Sequence, residues 1–339
     1  MKTKSWRWAL LAPLALFAGC VPPSTLPDVD YQPVSVAQES GSKFSRITTS
    51  NDGVESPRIW AENMYQGSLK AFAVSSDESK IAYVGYKEGK FNVYVKSLRG
   101  GNQITQRTFG NLDNVTDVAF SKDGHKIAFS GASNGYYRIF IMDAEKGSAM
   151  RQVTTESSNF YQPVFGPDGK NLYFSQGTND GTNNLWSYDL DKASFTQYTR
   201  GFFPTFWSNP NKVVLSRLNL IKDQDTEEIV ERQYAIWLYD LEDSQEVLIA
   251  SSKERDFFTP SVSPDGERIV FSSQSVSNKI RNFDLYTINI DGSGLTRLTF
   301  HPGNDVCPVW SPSGKSVYFL SQRGDPKGCY NIWKMDVRE

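Results

Sequence analysis

The chain has 339 residues and a formal net charge of −2, with 36 basic and 38 acidic residues. Its residues are 39% hydrophobic and 13% aromatic, enough to bury one large core or two smaller ones. The mildly acidic balance has no basic stripe, so nucleic acid is excluded as an expected partner.

The N-terminus has the pattern of an export signal. Lys2, Lys4 and Arg7 form a basic region, and the apolar run 8–17 that follows is too short to span a bilayer as a mature helix. The pattern predicts a signal peptide over residues 1–19.

The stretch Phe17-Ala18-Gly19-Cys20 resembles the lipobox of bacterial lipoproteins, although leucine is usual where Phe17 stands. This resemblance implies a lipid on Cys20, and Val21 after it favours the outer membrane. The alternative is a core segment that ends in an ordinary cysteine. Residues 20–42 are rich in proline and serine, which predicts an extended tether.

A hairpin motif then recurs along the chain. In V-S-P-D-G-E-R-I-V-F, Pro264 presets a turn, Asp265 bonds to nearby backbone, Gly266 takes a left-handed position, and a β-rich run follows. Related stretches begin at residues 74, 120, 165, 207, 262 and 310. Six copies at this spacing indicate a repeat architecture.

Each hairpin is followed by a third strand pattern, and most by a shorter fourth. The sixth repeat lacks the fourth strand, and residues 44–49 (F-S-R-I-T-T) match it. We therefore predict an all-β fold, a six-bladed β-propeller of four-stranded antiparallel blades over residues 43–339, closed by the N-terminal strand. A two-domain sandwich would leave residues 44–49 unexplained.

Two stretches depart from the repeat. Residues 51–70 lead into the first blade, and residues 217–233 lengthen the connection between the second and third strands of the fourth. The charged run in the second stretch fits either a solvated loop or a loop that adds binding specificity.

The repeated F/W-S-P-D-G-K and I-W-x-M-D stretches, with R-L-T, resemble the TolB-like six-bladed propellers over residues 44–337. The resemblance implies a periplasm-side or surface-side scaffold whose funnel binds peptide segments or other proteins. TolB-like proteins with a separate N-terminal domain differ from this chain, which has only a tether there.

The sequence contains little that indicates catalysis. His125 lies in a turn, and His301 has no second histidine nearby, so we expect no metal and no cofactor. Gly131 to Gly135 matches G-x-S-x-G, but between two strands it predicts a hairpin turn instead of a nucleophile elbow. Residues 223–234 lack the glycine and glutamate of a calcium loop.

The loops that enter each first strand carry recurring aromatic and polar residues. They predict a partner-binding rim for a peptide or glycan, or else aromatic side chains wedged between blades. The candidates are Asp117, Phe160, Tyr161, Phe257, Phe258, His301 and Asp305.

Cys307 and Cys329 would meet an oxidising compartment, so we expect a disulfide. Their strands would lie roughly 10 Å apart, beyond the reach of about 7 Å for a direct bond, so their loops must converge.

The expected function is a lipid-anchored scaffold of a bacterial cell envelope that binds a protein or peptide without catalysis. The alternative is a carbohydrate-active lyase or hydrolase with its active site in the funnel.

Overall fold

The computed structural model describes residues 43–48, 71–87, 90–101, 103–109, 112–146, 150–222, 228–275, 282–324 and 330–337. Within these ranges the chain forms six four-stranded antiparallel sheets. The prediction of an all-β, six-bladed propeller is confirmed. None of the described residues belongs to a helix with the length and apolar character needed to cross a bilayer.

Each blade has an inner, a second, a third and an outer strand. The inner strands are β2 (Phe72–Val74), β6 (Asn114–Phe120), β10 (Phe160–Phe165), β14 (Phe202–Thr205), β18 (Arg255–Val262) and β22 (Asp305–Trp310). The second strands are β3 (Lys80–Lys87), β7 (Lys126–Ser133), β11 (Asn171–Gly177), β15 (Lys212–Lys222), β19 (Arg268–Ser275) and β23 (Ser316–Ser321). The third strands are β4 (Lys90–Ser97), β8 (Tyr136–Asp143), β12 (Asn183–Asp189), β16 (Ile229–Asp240), β20 (Phe283–Asn289) and β24 (Asn331–Asp336). The outer strands, from blade 1 to blade 6, are β5 (Ile104–Gln106), β9 (Arg151–Gln152), β13 (Ser194–Arg200), β17 (Glu246–Ala250), β21 (Thr296–Arg297) and β1 (Phe44–Arg46).

The turns between inner and second strands follow the predicted chemistry. In blade 5, Ser263 Oγ donates to Asp265 Oδ1 at 2.5 Å, and the Glu267 N–H donates to the same oxygen at 3.0 Å. The Ser263 bond, followed by the Glu267 bond, holds the pKa of Asp265 below its usual range. Asp265 is therefore a turn residue. Corresponding bonds form at Ser75 and Asp77 and at Ser121 and Asp123.

The ring closes through β1, as the sequence predicts. It pairs antiparallel with β24, placing Phe44 opposite Met335. Thr48 Oγ1 then accepts the Ile332 N–H at 2.9 Å. Threonines hold the same position relative to the third strands of blades 1, 2 and 5, namely Thr108, Thr154 and Thr299. The N-terminal strand thus completes blade 6 with the chemistry of an ordinary outer strand.

The core lies between the faces of neighbouring blades. Between blades 4 and 5, for example, Val214 and Ile236 pack in one buried cluster with Phe257 and Phe271. Full burial of one such side chain contributes about 1.5–3 kcal/mol to folding. Blade-to-blade packing is therefore a main source of the stability of the fold.

The prediction of a loop at residues 217–233 is wrong for most of the stretch, which forms paired strands. β15 and β16 continue as a paired hairpin through it, with Asn219 opposite Gln233, and residues 223–227 lie outside the described structure. Tyr234 packs on Phe258 of blade 5, with ring centroids 4.6 Å apart. Tyr234 directly follows the stretch and pairs with Leu218 inside it, so this packing favours a strand over a solvated loop.

The G-x-S-x-G stretch forms the predicted hairpin turn. It joins β7 to β8, and its Asn134 and Gly135 both have positive φ, 53° and 79°. Two successive left-handed residues are typical of a two-residue β-hairpin. Ser133 is therefore not on a nucleophile elbow.

Candidate functional site: a central cavity

A cavity of about 460 Å³ lies where the inner strands of all six blades meet. It begins near Thr259 and Cys307, in the middle of their strands, and reaches the turn residues Pro264 and Pro312. The five residue steps from Cys307 to Pro312 correspond to roughly 16 Å of extended chain. The cavity therefore occupies the end of the propeller that carries the turns between inner and second strands.

Prolines shape the inner strands that line the cavity. Pro163, Pro260 and Pro308 lie at points where pairing with the second strand is interrupted. An inner strand is the edge of its sheet, so a proline there can lack an N–H without breaking the ladder. Each of these prolines follows a left-handed residue with positive φ, namely Gln162, Thr259 and Cys307, and Phe203, which precedes Pro204, is left-handed as well.

Hydrogen bonds between blades hold these left-handed residues in place. The Gln162 N–H donates to Asp117 Oδ2 at 3.2 Å, and the Phe203 N–H donates to Gln162 Oε1 at 2.8 Å. The Cys307 N–H donates to Ser272 Oγ at 3.0 Å. All of these groups are buried, so the bonds are costly to lose. The floor of the cavity is thus preorganised.

The walls are mainly apolar and aromatic, and Lys122 is the only charged residue among the described residues that line them. Its Nζ donates to the carbonyl oxygen of Pro167 at 3.1 Å, which places the ammonium group at the mouth. Neither carboxylates nor histidines occur among these lining residues. The mainly apolar and aromatic lining of the cavity is suited to binding an apolar segment.

The four aromatic candidates of the predicted rim are buried. Phe160, Tyr161, Phe257 and Phe258 are 4%, 9%, 2% and 3% exposed. Phe160 packs edge-on against Phe174. These contacts favour the interpretation that the aromatic side chains wedge into the core.

The polar candidates of the predicted rim also form hydrogen bonds or ion pairs within the protein. Asp117 is fully buried and accepts the Gln162 N–H described above, and also the Thr116 hydroxyl at 2.9 Å. Asp305 is fully buried and pairs with Arg323 at 2.7 Å, and burial raises its pKa despite that partner. His301 Nδ1 accepts the Gly303 N–H at 3.0 Å.

None of the seven rim candidates lines the cavity. His301 and Asp305 lie close enough to interact electrostatically, as do Asp117 of blade 2 and Tyr161 of blade 3. The seven candidates are otherwise spread over several blades. The cavity lies at the opposite end of the inner strands from the loops that the sequence favoured. The missed signal is the recurrence of proline at 163, 204, 260 and 308, and again at 167, 264 and 312.

The cysteine predictions fall partly outside the described residues. Cys20 and Cys329 both lie there, so the lipid anchor and the disulfide stay predictions. Cys307 is buried and lines the cavity.

One buried acid was not singled out by the sequence. Asp284 Oδ2 pairs with Arg297 at 2.8 Å, yet burial raises the pKa of Asp284 to about 6. Arg297 opposes that rise and nearby Asp305 adds to it. Within the described ranges, no three His, Cys, Asp or Glu residues are grouped so that they hold a metal ion.

A family model supplies the identification. The model of the PD40 family, described as the TolB beta propeller domain, matches residues 34–217 and 227–339. The chain belongs to this family.

Curated relatives align with the propeller only in part. A dipeptidyl-peptidase 5 of Porphyromonas gingivalis is 35% identical over 65 residues, which is 19% of this chain and 10% of that protein. A Tol-Pal system protein TolB of Francisella tularensis is 27% identical over 110 residues, or 32% of this chain and 24% of that protein. The chain thus aligns with a quarter or less of the length of these relatives.

Solved structures share the fold. TolB from Acinetobacter baumannii matches with a TM-score of 0.57 and 21% identity, over 71% of this chain and 56% of that one. An oligogalacturonate lyase from Vibrio parahaemolyticus matches with a TM-score of 0.55 and 16% identity, over 88% and 95%. At these identities the likeness establishes the propeller fold alone.

Proposed function

We propose that the protein is a non-catalytic scaffold of a bacterial cell envelope that holds a peptide segment of a partner protein in its central cavity. The observation that carries this proposal is the cavity itself. All six blades line it with apolar and proline-rich surface, and Lys122 is the one charge among its described lining residues. Membership of the TolB beta propeller family supports a binding role and an envelope location.

The test is crosslinking in intact envelopes followed by purification of the protein. Val309 lines the cavity and is partly exposed, so Val309→Arg places a bulky charge in the site. We expect this variant to lose crosslinked partners that the wild type retains. Leu295→Arg, on a residue 51% exposed and outside the cavity, is the matched control and should retain them. Equal crosslinking of all three proteins would contradict binding in the cavity.

We further propose that Cys20 carries a lipid that anchors the protein, with the outer membrane as the expected location. The lipobox-like stretch before Cys20 supports this. Cys20→Ser should release the protein from membranes on high-salt washing. A variant that stays membrane-bound after that wash would contradict the anchor.

A second candidate function is carbohydrate cleavage, which the similarity to an oligogalacturonate lyase favours. A related lyase structure contains manganese, whereas the described residues here offer no group of three metal-ligating side chains. Incubation with oligogalacturonate tests this function through the ultraviolet absorbance of unsaturated products. We expect none, and activity that Asp117→Ala, His301→Ala or Asp305→Ala abolishes would overturn the non-catalytic proposal.

A further inference from the structure

The chain before β1 joins the propeller at the end that holds the cavity. Phe44 pairs with Met335, Met335 pairs with Val317, and Val317 pairs in turn with Trp310. Trp310 lines the cavity, so β1 begins level with it and three strands away. At about 4.8 Å per strand spacing this separation is roughly 14 Å. The segment that precedes residue 43 is therefore attached close to the cavity.

One stretch of that segment has an apolar edge and an acidic edge. Residues 26–34, within the predicted tether, read L-P-D-V-D-Y-Q-P-V. A proline restricts the residue before it to extended conformations, and this stretch contains two prolines. In an extended chain alternate side chains share an edge. The edges then consist of apolar or aromatic residues, Pro27, Val29, Tyr31 and Pro33, and of acidic or amide residues, Asp28, Asp30 and Gln32.

The cavity complements both edges. Its lining includes Phe206, Trp207 and Trp310, and grooves lined by aromatic residues bind extended, proline-rich segments. Lys122 at the mouth is exposed, and its bond to the carbonyl oxygen of Pro167 uses one of the three donors of the ammonium group. The other two donors are suited to a carboxylate.

We propose that residues 26–34 lie in the central cavity of their own chain when no partner occupies it. The apolar edge contacts the walls, and Asp28 and Asp30 face Lys122. The nine steps from residue 34 to residue 43 span up to roughly 30 Å, about twice the separation to be crossed. A short linker gives an effective concentration of about millimolar, which fills the cavity even when the contact is weak.

The tether thus competes with any partner segment for the same surface. A partner must displace it, so the tether reduces the affinity of the cavity for weak partners and leaves strong partners able to bind. This inference concerns the cavity of the proposed function but requires no partner protein, so the two can fail separately.

Photo-crosslinking within the full chain tests the proposal. The crosslinking amino acid p-benzoylphenylalanine replaces Tyr31, and the purified protein is irradiated at high dilution in non-ionic detergent. Mass spectrometry of the monomer then locates the crosslinks. We expect them at cavity residues, in the stretches 205–208 and 307–312 among others.

A charge reversal identifies the contact at the mouth. Lys122→Glu should reduce the cavity crosslinks several-fold, because it places a third carboxylate beside Asp28 and Asp30. Adding Asp28→Lys and Asp30→Lys to that variant should restore them. Lys126→Glu is the matched control, since Lys126 is an exposed lysine that follows the same turn and does not line the cavity. It should crosslink like the wild type.

Three outcomes would overturn the proposal. These are crosslinks that lie outside the cavity or only between molecules, no crosslinks at all, and an equal yield from Lys122→Glu and the wild type. If any of them occurs while partners still crosslink to the cavity in intact envelopes, the proposed function stands and the tether is not an occupant of the cavity.

Discussion

At the scale of single residues, the turn glycines show how local conformation and packing act together. Gly266 has φ +80°, and a Cβ added there would lie 2.6 Å from Trp207 Nε1 of blade 4. Gly135 has nearly the same φ, +79°, with no atom within 4 Å of an added Cβ. A substitution at Gly135 therefore tests backbone strain alone, whereas one at Gly266 adds a steric clash with Trp207.

We expect Gly266→Ala to destabilise the protein more than Gly135→Ala. Both variants should lose about 1–2 kcal/mol because a left-handed residue with a side chain is strained. Gly266→Ala should lose about 1–3 kcal/mol more through overpacking against Trp207. Urea denaturation measures the difference, and equal losses in the two variants would contradict the contact.

Asp284 makes stability depend on pH. Its pKa is about 6 in the folded protein, raised mainly by burial from a usual value of 3.8. The folded state therefore binds a proton more tightly than the unfolded chain. This group makes the protein less stable as pH rises from about 4 to about 6, and the cost stays in full above that window.

Asp284→Asn should remove this dependence. Asparagine occupies the corresponding third-strand position in other blades, for example as Asn92 and Asn331, so the variant is expected to fold. The free energy of unfolding of the variant, minus that of the wild type, should rise by on the order of 1–3 kcal/mol between pH 4 and pH 7. If this difference in the free energy of unfolding does not change between pH 4 and pH 7, the pKa of Asp284 is not raised as described.

At the scale of elements, threonines at the outer strands make the same hydrogen bond to the third strand in several blades. Thr48 and Thr154 each accept one buried N–H of a third strand, from Ile332 and Ile139. Thr154 belongs to a continuous blade, whereas Thr48 joins the N-terminal strand to the C-terminal blade. The same bond thus has a different role in the two blades.

Thr48→Val should cost about 1–3 kcal/mol, because it leaves the Ile332 N–H buried without an acceptor. Hydrogen exchange should accelerate along β24 and β1. Thr154→Val should cost a similar amount but accelerate exchange in blade 2 alone. Unchanged exchange in β24 would mean that Thr48 does not secure the closure.

At the scale of the whole molecule, closure of the ring depends on six residues of the N-terminal segment. A chain that begins at residue 43 keeps β1, and one that begins at residue 49 loses it and exposes the edge of β24. The longer chain should unfold in one cooperative transition.

The shorter chain should lose on the order of 3 kcal/mol or more and aggregate at a lower temperature. Calorimetry and light scattering during heating measure both effects. Identical melting of the two chains would show that the ring does not need β1.

The sequence alone was sufficient to determine the architecture. The alternation of apolar and polar residues in a strand and the residue preferences of a turn act over a few residues. The Ser263–Asp265 turn and the corresponding turns of other blades could therefore be predicted from the sequence. The unmatched strand of blade 6 and the matching stretch at residues 44–49 then predicted the closure. The long β15–β16 hairpin was not predicted, because its pairing is favoured by contact with blade 5.

Only the tertiary structure placed the cavity. The recurring prolines are visible in the sequence, but their position on an inner edge depends on how six blades pack around one axis. The same packing buries Phe160, Phe257 and Asp305, which in sequence look like accessible loop residues. Local chemistry determines each strand and turn, while the exposure of a side chain is decided by neighbours that are distant in the chain.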